Sequence, residues 1–183
     1  MQIEKIILAS KSPRRSQLLQ WAEIEFEVVT ADTDEVYPEG LTPSRVATHI
    51  ATNKAHDVKR KLEIEGSNGN NFPILAADTI VVLDNKIIGK PSGREDAIQT
   101  LSMLSGRKHL VITGICILSG EDTIVFAEET VVEFNSLTQL QIQHYVDNYK
   151  PYDKAGAYAI QEWIGVTGIK SINGDFYNVM GLP

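Results

Sequence analysis

A ten-residue apolar run from Ile74 to Leu83 constrains the fold of this chain more than any other feature. Its length and composition are typical of a core strand, and the Asp84-Asn85 pair that follows it favours a tight hairpin turn. Residues 86–88 would then return as an antiparallel arm. The sequence therefore predicts a buried strand with its own hairpin.

Strands followed by helices are predicted on both sides of this hairpin. Residues 6–9 form a short apolar strand, and Ser12 followed by Pro13 is typical of a helix start. Hairpins and strand–helix units in one chain predict the α/β class with a mixed sheet. The other predicted elements are strands at 26–30, 110–118 and 123–134, a helix from 43 to about 62, helices after capping boxes at 92–95 and 138–141, and short glycine-broken strands within 157–179.

Length and charge narrow the functional classes. The 183 residues, 43% of them hydrophobic, suffice for a sizeable core in one domain or two small lobes. Seventeen basic against 24 acidic residues give a formal charge of -7, which argues against a general nucleic-acid coat but allows a local basic pocket. No window approaches the ~20 apolar residues of a membrane helix. The single cysteine, Cys116, lies in an apolar run and predicts a buried thiol that suits a reducing compartment.

The first candidate site lies where the first strand meets the first helix. Arg14 and Arg15 fall in the first helical turn, where the helix dipole disfavours cations. Two arginines there make sense if an anion binds between them and the unpaired helix amides. Ser10 and Ser12 can add hydroxyl donors. The alternative is a solvated, capped helix with two exposed arginines.

Lys54 and Asp78 are charged residues in apolar surroundings. Lys54 interrupts the apolar stripe of a predicted helix, so it either reaches water along its stem or points into a polar cleft. Asp78 interrupts the long apolar strand, where a carboxylate needs a partner or a role in metal binding or base catalysis. The hairpin register would place Lys90 opposite Thr79 and near Asp78, so a buried Asp–Lys pair is the structural alternative.

Further polar groups come from two other segments. Asp32, Asp34 and Glu35 form either a solvated loop or, with Asp78, a set of oxygen ligands for Mg²⁺, which prefers one or two carboxylates plus substrate phosphates. Gln161 follows a run of small residues, and its amide offers a donor and an acceptor suited to the edge of a base. The histidines show no zinc spacing and are predicted to be structural or exposed; they are His49, His56, His109 and His144.

Several of these segments resemble, in order and over nearly the whole chain, the motifs of the Maf family of nucleoside triphosphate pyrophosphatases. A single matching motif would be weak evidence for this family, whereas five motifs in the same order are specific evidence. The matching residues are Leu-Ala-Ser-Lys-Ser-Pro-Arg-Arg at 8–15, Ala-Asp-Thr at 77–79 with Gly-Lys-Pro at 89–91, Leu-Ser-Gly-Arg at 104–107 with His109 and Thr-Gly at 113–114, Asp-Lys-Ala-Gly-Ala-Tyr at 153–158 with Gln161, and Asn-Val with Gly-Leu-Pro at 178–183.

The resemblance implies an activity, a fold and a setting. The activity is cleavage between the α- and β-phosphates with a divalent metal cation, Mg²⁺ or Mn²⁺, giving a monophosphate and pyrophosphate. The fold is a single Maf-like domain over residues 1–183, an elongated mixed β-sheet flanked by helices with a central cleft between two lobes, similar to inosine triphosphatases. The implied setting is the cytoplasm, with a nucleoside triphosphate as partner rather than nucleic acid or a membrane. A homodimer is a family-level expectation.

Roles for individual residues follow by position in the motifs. Asp78 matches the proposed catalytic base of the family, and with Glu35 it is the expected metal ligand. Lys54 and Lys90 match cleft cations that are expected to act in catalysis. The residues expected to bind substrate are Ser10, Arg14, Arg15, Thr79 and Gln161.

The segment 153–156 resembles the branch that acts on dTTP and UTP, which are therefore the expected substrates. One departure is the Glu162-Trp163 pair after Gln161, where many relatives have glycine, and it affects the expected base preference. Alternatives are the same chemistry on CTP or modified pyrimidine nucleotides, or a non-catalytic nucleotide sensor that regulates cell division. All the motif carboxylates and cations are present, which favours an enzyme.

Overall fold

The computed structural model describes residues 5–66 and 72–183, which form a mixed β-sheet and the helices that pack on it. The strands are β1 (Ile6–Leu8), β2 (Phe26–Val28), β3 (Ile74–Leu83), β4 (Lys86–Ile88), β5 (Lys108–Ser119), β6 (Asp122–Phe134) and β7 (Ile169–Asn173). The helices are α1 (Pro13–Trp21), α2 (Pro43–Ile64), α3 (Arg94–Leu104), α4 (Gln139–Tyr149), α5 (Trp163–Gly168) and α6 (Phe176–Met180), with a 3₁₀ turn at Ala155–Ala157.

The sheet is mixed, which confirms the predicted α/β class. Its strand order is β2-β1-β3-β5-β6-β7, with β4 paired to β3. Strand β1 runs parallel to β2 and β3, whereas the β3–β4 and β6–β7 pairs are antiparallel. No helix within residues 5–66 and 72–183 is long and apolar enough to cross a membrane.

The described residues form two compact units. The first contains the residues up to Asp78, then Thr113–Glu128 and Leu182, and the second contains Thr79–Ile112, Glu129–Gly181 and Pro183. The single-domain organisation of residues 1–183, the elongated form and the central cleft between two lobes stay predictions.

The core of the first unit lies between α2 and the strands that it covers. The apolar stripe predicted for this helix is buried, and the buried cluster includes Cys116 as predicted. Gly114 of β5 lies so close to α2 that a Cβ there would stand 2.2 Å from the carbonyl carbon of Ala47 and 2.3 Å from the amide nitrogen of Thr48. The helix backbone therefore touches the sheet at a position where only glycine fits.

The β3–β4 hairpin turns where the sequence predicted. Asp84 and Asn85 have φ values of 50° and 62°, the left-handed geometry that short hairpin turns require. Val81 pairs with Ile88 and Leu83 with Lys86, which confirms the predicted register over these residues. Strand β4 ends at Ile88, so a position of Lys90 opposite Thr79 stays a prediction.

Two local predictions were wrong. Helix α3 has no side-chain cap of the predicted kind, because Gly93 is its N-cap and the Asp96 carboxylate instead accepts hydrogen bonds from the amide and hydroxyl of Ser92. The stretch 157–179 holds two short helices and one strand rather than only short strands. One of these helices, α6, follows its N-cap Asp175, whose carboxylate accepts hydrogen bonds from the amides of Tyr177 and Asn178. Helices this short show no readable periodicity in a sequence.

Candidate active site

Lys54 of α2 faces Asp78 of β3. Side chains alternate along a strand, so Asp78 lies on the same face of β3 as Ile74 and Ala76, which pack against α2. Helical spacing places Lys54 beside Ala51, on the side of α2 that contacts this cluster. The small alanines let the two backbones approach, and the two charged side chains meet at the end of the apolar contact.

Lys54 lies between two carboxylates. Its ammonium nitrogen is 2.7 Å from Asp78 Oδ1 and 2.7 Å from Glu35 Oε1. The side chains of Lys54 and Asp78 are 19% and 11% exposed, and that of Glu35 is 44% exposed, so this trio extends from the interior to the surface. The Lys54 side chain therefore points toward polar groups instead of reaching water alone, and it is a partner of the Asp78 carboxylate.

Arg15 is a buried cation in the same unit. It is 8% exposed, and its guanidinium donates a hydrogen bond to Ser10 Oγ at 2.9 Å. Burial lowers the pKa of Arg15 to about 10, while the charges of Asp78 and Glu35 raise it and that of Arg14 lowers it further. The guanidinium thus lies within electrostatic reach of both carboxylates and stays charged at neutral pH. The alternative of two exposed arginines is wrong for Arg15.

Ser12 is the N-cap residue of α1, as predicted, but the hydroxyl that organises the helix start is that of Ser10. Pro13 occupies the first helical position as predicted, but the Ser12 side chain makes no capping hydrogen bond. Instead Ser10 Oγ accepts from the Ser12 amide at 3.2 Å as well as from Arg15. The half-buried Arg14 lies in the same turn. One hydroxyl therefore ties the helix start to the buried guanidinium.

Glu35 and Asp78 form a donor set that fits a divalent metal. Because both carboxylate oxygens lie 2.7 Å from the same lysine nitrogen, they can be no farther apart than twice that distance. Mg²⁺ is commonly held by one or two carboxylates, with substrate phosphates and water as further ligands. Within the described part of the chain, no group of three or more His, Cys, Asp or Glu side chains is arranged to hold a metal.

The neighbouring acids lie in different surroundings. Asp32 and Asp34 line a pocket of about 680 Å³ together with residues of α2 such as Asp57 and Arg60. The carboxylate of Asp32 is fully exposed and lies 3.5 Å from the ammonium of Lys11. Of the three acids predicted as oxygen ligands after β2, the structure joins Glu35 to Asp78 through Lys54.

Three predicted site residues belong to the second unit. Thr79 directly follows Asp78 in β3 and is half-buried. Lys90 follows β4 and is exposed, and Gln161 is exposed in the turn that precedes α5. The roles predicted for these residues stay predictions.

His109 is structural, as the sequence predicted. It is 3% exposed, its Nε2 lies 2.7 Å from the Tyr158 hydroxyl, and its ring packs edge-on against Phe134 with centroids 5.2 Å apart. Burial lowers the pKa of His109 to about 4, so the ring is neutral at physiological pH. Burial also raises the pKa of Tyr158. The pair belongs to a cluster of aromatic side chains with Phe134.

Sequence reasoning missed a buried polar network in the second unit. The hydroxyl of Tyr145 in α4 donates to Glu162 Oε2 and accepts from the Ala159 amide at 3.1 Å. Lys154, 8% exposed, lies 2.7 Å from Asp153 Oδ1 and 3.7 Å from Glu162 Oε1. A lysine among small residues was a usable signal for Lys154, as it was for Lys54. Nothing in the sequence connects it to a tyrosine of another helix.

Comparisons with known proteins identify relatives of this chain. The dTTP/UTP pyrophosphatase of Bacteroides thetaiotaomicron is 46% identical over 180 residues, which cover 98% of this chain and 90% of that protein. The dTTP/UTP pyrophosphatase of Cytophaga hutchinsonii is 48% identical over 181 residues, covering 97% of this chain and 78% of that protein. The family described as Maf-like protein matches residues 5–183. With a family match over nearly its whole length, this chain belongs to the Maf family.

Proposed function

We propose that this protein hydrolyses nucleoside triphosphates, preferably dTTP and UTP, between the α- and β-phosphates to the monophosphate and pyrophosphate. The observation that carries the proposal is the Lys54 ammonium held between Asp78 and Glu35, with the buried cation of Arg15 in the same unit. Transfer at phosphorus needs cations for the phosphate oxygens and a carboxylate to position water or metal. Relatives named dTTP/UTP pyrophosphatase at 46% and 48% identity support the substrate class.

The start of α1 would hold the phosphate chain. Arg14 and Arg15 present guanidinium forks that match phosphate oxygens, and the first amides of α1 carry the partial positive charge of the helix dipole. The hydroxyl of Ser10 already fixes Arg15, so little conformational freedom is lost when an anion binds. Lys54 would add a third cation from α2.

The carboxylates would carry the chemistry. Glu35 and Asp78 would hold the divalent metal, Mg²⁺ or Mn²⁺, which when bound neutralises charge on the phosphate oxygens. Asp78 orients or deprotonates the attacking water, and Lys54, 2.7 Å away, holds its carboxylate in place. Lys90 would stabilise negative charge nearby.

Base choice would rest on Thr79 and Gln161. The Gln161 amide can donate and accept at once, which suits the paired donor and acceptor on the edge of thymine or uracil. A site built to hydrogen-bond one edge discriminates strongly against bases that leave its polar groups unpaired. Cytosine reverses the donor and acceptor at positions 3 and 4 of the ring, so this role favours dTTP and UTP over CTP when the Gln161 amide is held in one orientation.

The proposed function also implies that the protein acts in the cytoplasm, where its nucleotide substrates occur. The one cysteine, Cys116, is fully buried, and burial raises the pKa of its thiol, so the side chain stays protonated and unreactive. A homodimer stays a prediction from the family resemblance.

Pyrophosphate release from a panel of triphosphates tests this function. With Mg²⁺, kcat/KM for dTTP and UTP is expected to exceed that for CTP, ATP and GTP by about tenfold or more. Reactions without protein and without metal serve as controls. Release from purines alone would overturn the pyrimidine assignment, and no release from any triphosphate would favour the nucleotide-sensor alternative.

A further inference from the structure

The turn that carries Gln161 is fixed at both ends by one side chain. The amide of Glu162 donates to the Ala159 carbonyl at 3.1 Å, which closes a four-residue turn with Gln161 at its third position. The buried hydroxyl of Tyr145 accepts from the Ala159 amide at 3.1 Å and donates to the Glu162 carboxylate. The first and last residues of the turn therefore contact the same oxygen atom.

A lysine contacts the other oxygen of the same carboxylate. Lys154 Nζ lies 3.7 Å from Glu162 Oε1 and 2.7 Å from Asp153 Oδ1, and the lysine is 8% exposed. The ammonium is hydrogen-bonded to Asp153, and at 3.7 Å its interaction with Glu162 is an ion pair. Glu162 is thus held by a hydroxyl at one oxygen and by an ammonium at the other.

The backbone of α5 restricts the turn from a third direction. Gly165 lies so close to the turn that a Cβ there would stand 1.6 Å from the Ile160 carbonyl oxygen. The Gly165 amide also donates to the Glu162 carbonyl at 2.9 Å. Every residue of the turn except Gln161 is therefore fixed by a hydrogen bond or a close contact, and the exposed Gln161 side chain projects from a rigid base.

We propose that Tyr145, Glu162 and Lys154 form a positioning clamp that orients Gln161 and thereby sets the selectivity for the nucleotide base. The inference rests on the proposed function and deepens it, since it names the residues that would orient the side chain proposed to read the base. A side chain reads a base edge only when its donor and acceptor are held in a fixed direction. The clamp acts through Gln161, so its loss changes selectivity and affinity and leaves the phosphate chemistry intact.

The test uses Glu162→Gln and Tyr145→Phe in the full chain. Glu162→Gln keeps the shape but removes the ion pair with Lys154, and Tyr145→Phe removes the hydroxyl that joins the ends of the turn. KM for dTTP is expected to rise about tenfold and the dTTP-to-CTP ratio of kcat/KM to fall about tenfold, the effect of one charge-assisted hydrogen bond. The kcat value is expected to stay within about threefold of wild type. Exposed positions give matched controls, Glu121→Gln and Tyr177→Phe, which should leave both quantities unchanged.

Equilibrium binding separates failure of the clamp from failure of the proposed function. Thymidine and cytidine triphosphate analogues with a methylene bridge between the α- and β-phosphorus measure base selectivity without turnover. A folded Glu162→Gln variant with wild-type selectivity would overturn the clamp, as would equal weakening for both bases. The wild-type protein could prove inactive and still prefer the thymidine analogue. If the Glu162→Gln variant then lacks that preference, the result supports the clamp and rejects hydrolysis. If the Tyr145→Phe variant does not fold, the measurements on the Glu162→Gln variant alone decide between these outcomes.

Discussion

Asp78→Asn is expected to lower kcat for dTTP hydrolysis by about 10²–10⁴-fold, the range for loss of a positioned general base. The amide keeps the shape of the side chain but cannot take a proton and is a poor ligand for Mg²⁺. Lys54 keeps Glu35 as a partner 2.7 Å away, so the fold should persist. The measurement is pyrophosphate release at saturating dTTP and Mg²⁺.

The matched control for this change is Asp122→Asn, which neutralises an exposed carboxylate at the start of β6. It should hydrolyse dTTP at the wild-type rate. Binding of a non-hydrolysable dTTP analogue to the Asp78→Asn variant should be retained, which separates loss of chemistry from loss of binding. If the variant binds substrate and its kcat stays within a few-fold of wild type, Asp78 is neither the base nor an essential metal ligand.

Gly114→Ala is expected to cost roughly 3 kcal/mol or more of unfolding free energy, because overpacking of backbone against backbone has no flexible side chain to absorb it. The added Cβ would meet the backbone of Ala47 and Thr48 at 2.2–2.3 Å, which forces α2 away from β5. Helix α2 also carries Lys54, so displacement should weaken its contact with Asp78 and reduce turnover. Urea denaturation measures the first effect.

Gly89→Ala is the control for that experiment. A Cβ on Gly89 meets no atom within 4 Å, and the residue is exposed, so its unfolding free energy should change by less than about 1 kcal/mol. Equal stability of the Gly114 and Gly89 variants would show that α2 does not depend on the close approach at β5.

Local periodicity made much of the fold predictable from the sequence. The apolar run 74–83 and its Asp-Asn turn gave β3 and its hairpin register, and the Thr138–Gln141 capping box marked the start of α4. These features depend on residues close together in the chain. The stretch 157–179 was not predictable in the same way, because its short helices depend on tertiary contacts such as that between Thr130 and Asp175.

The candidate site was predictable in its members but not in its pairing. Lys54 and Asp78 stood out as charges in apolar patterns, but the sequence did not bring them together, and the structure places them 2.7 Å apart. That pairing depends on how α2 packs across β3, which no local pattern encodes. The Tyr145–Glu162 contact was hidden for the same reason, since it joins α4 to the turn before α5.

The proposed activity is hydrolysis of the anhydride between the α- and β-phosphates. Phosphorus NMR of dTTP incubated with the purified protein and Mg²⁺ tests it most directly, because each product gives its own signal. The proposal predicts dTMP and pyrophosphate in equal amounts, with no dTDP. Formation of dTDP and orthophosphate, or dTTP that persists unchanged, would contradict it.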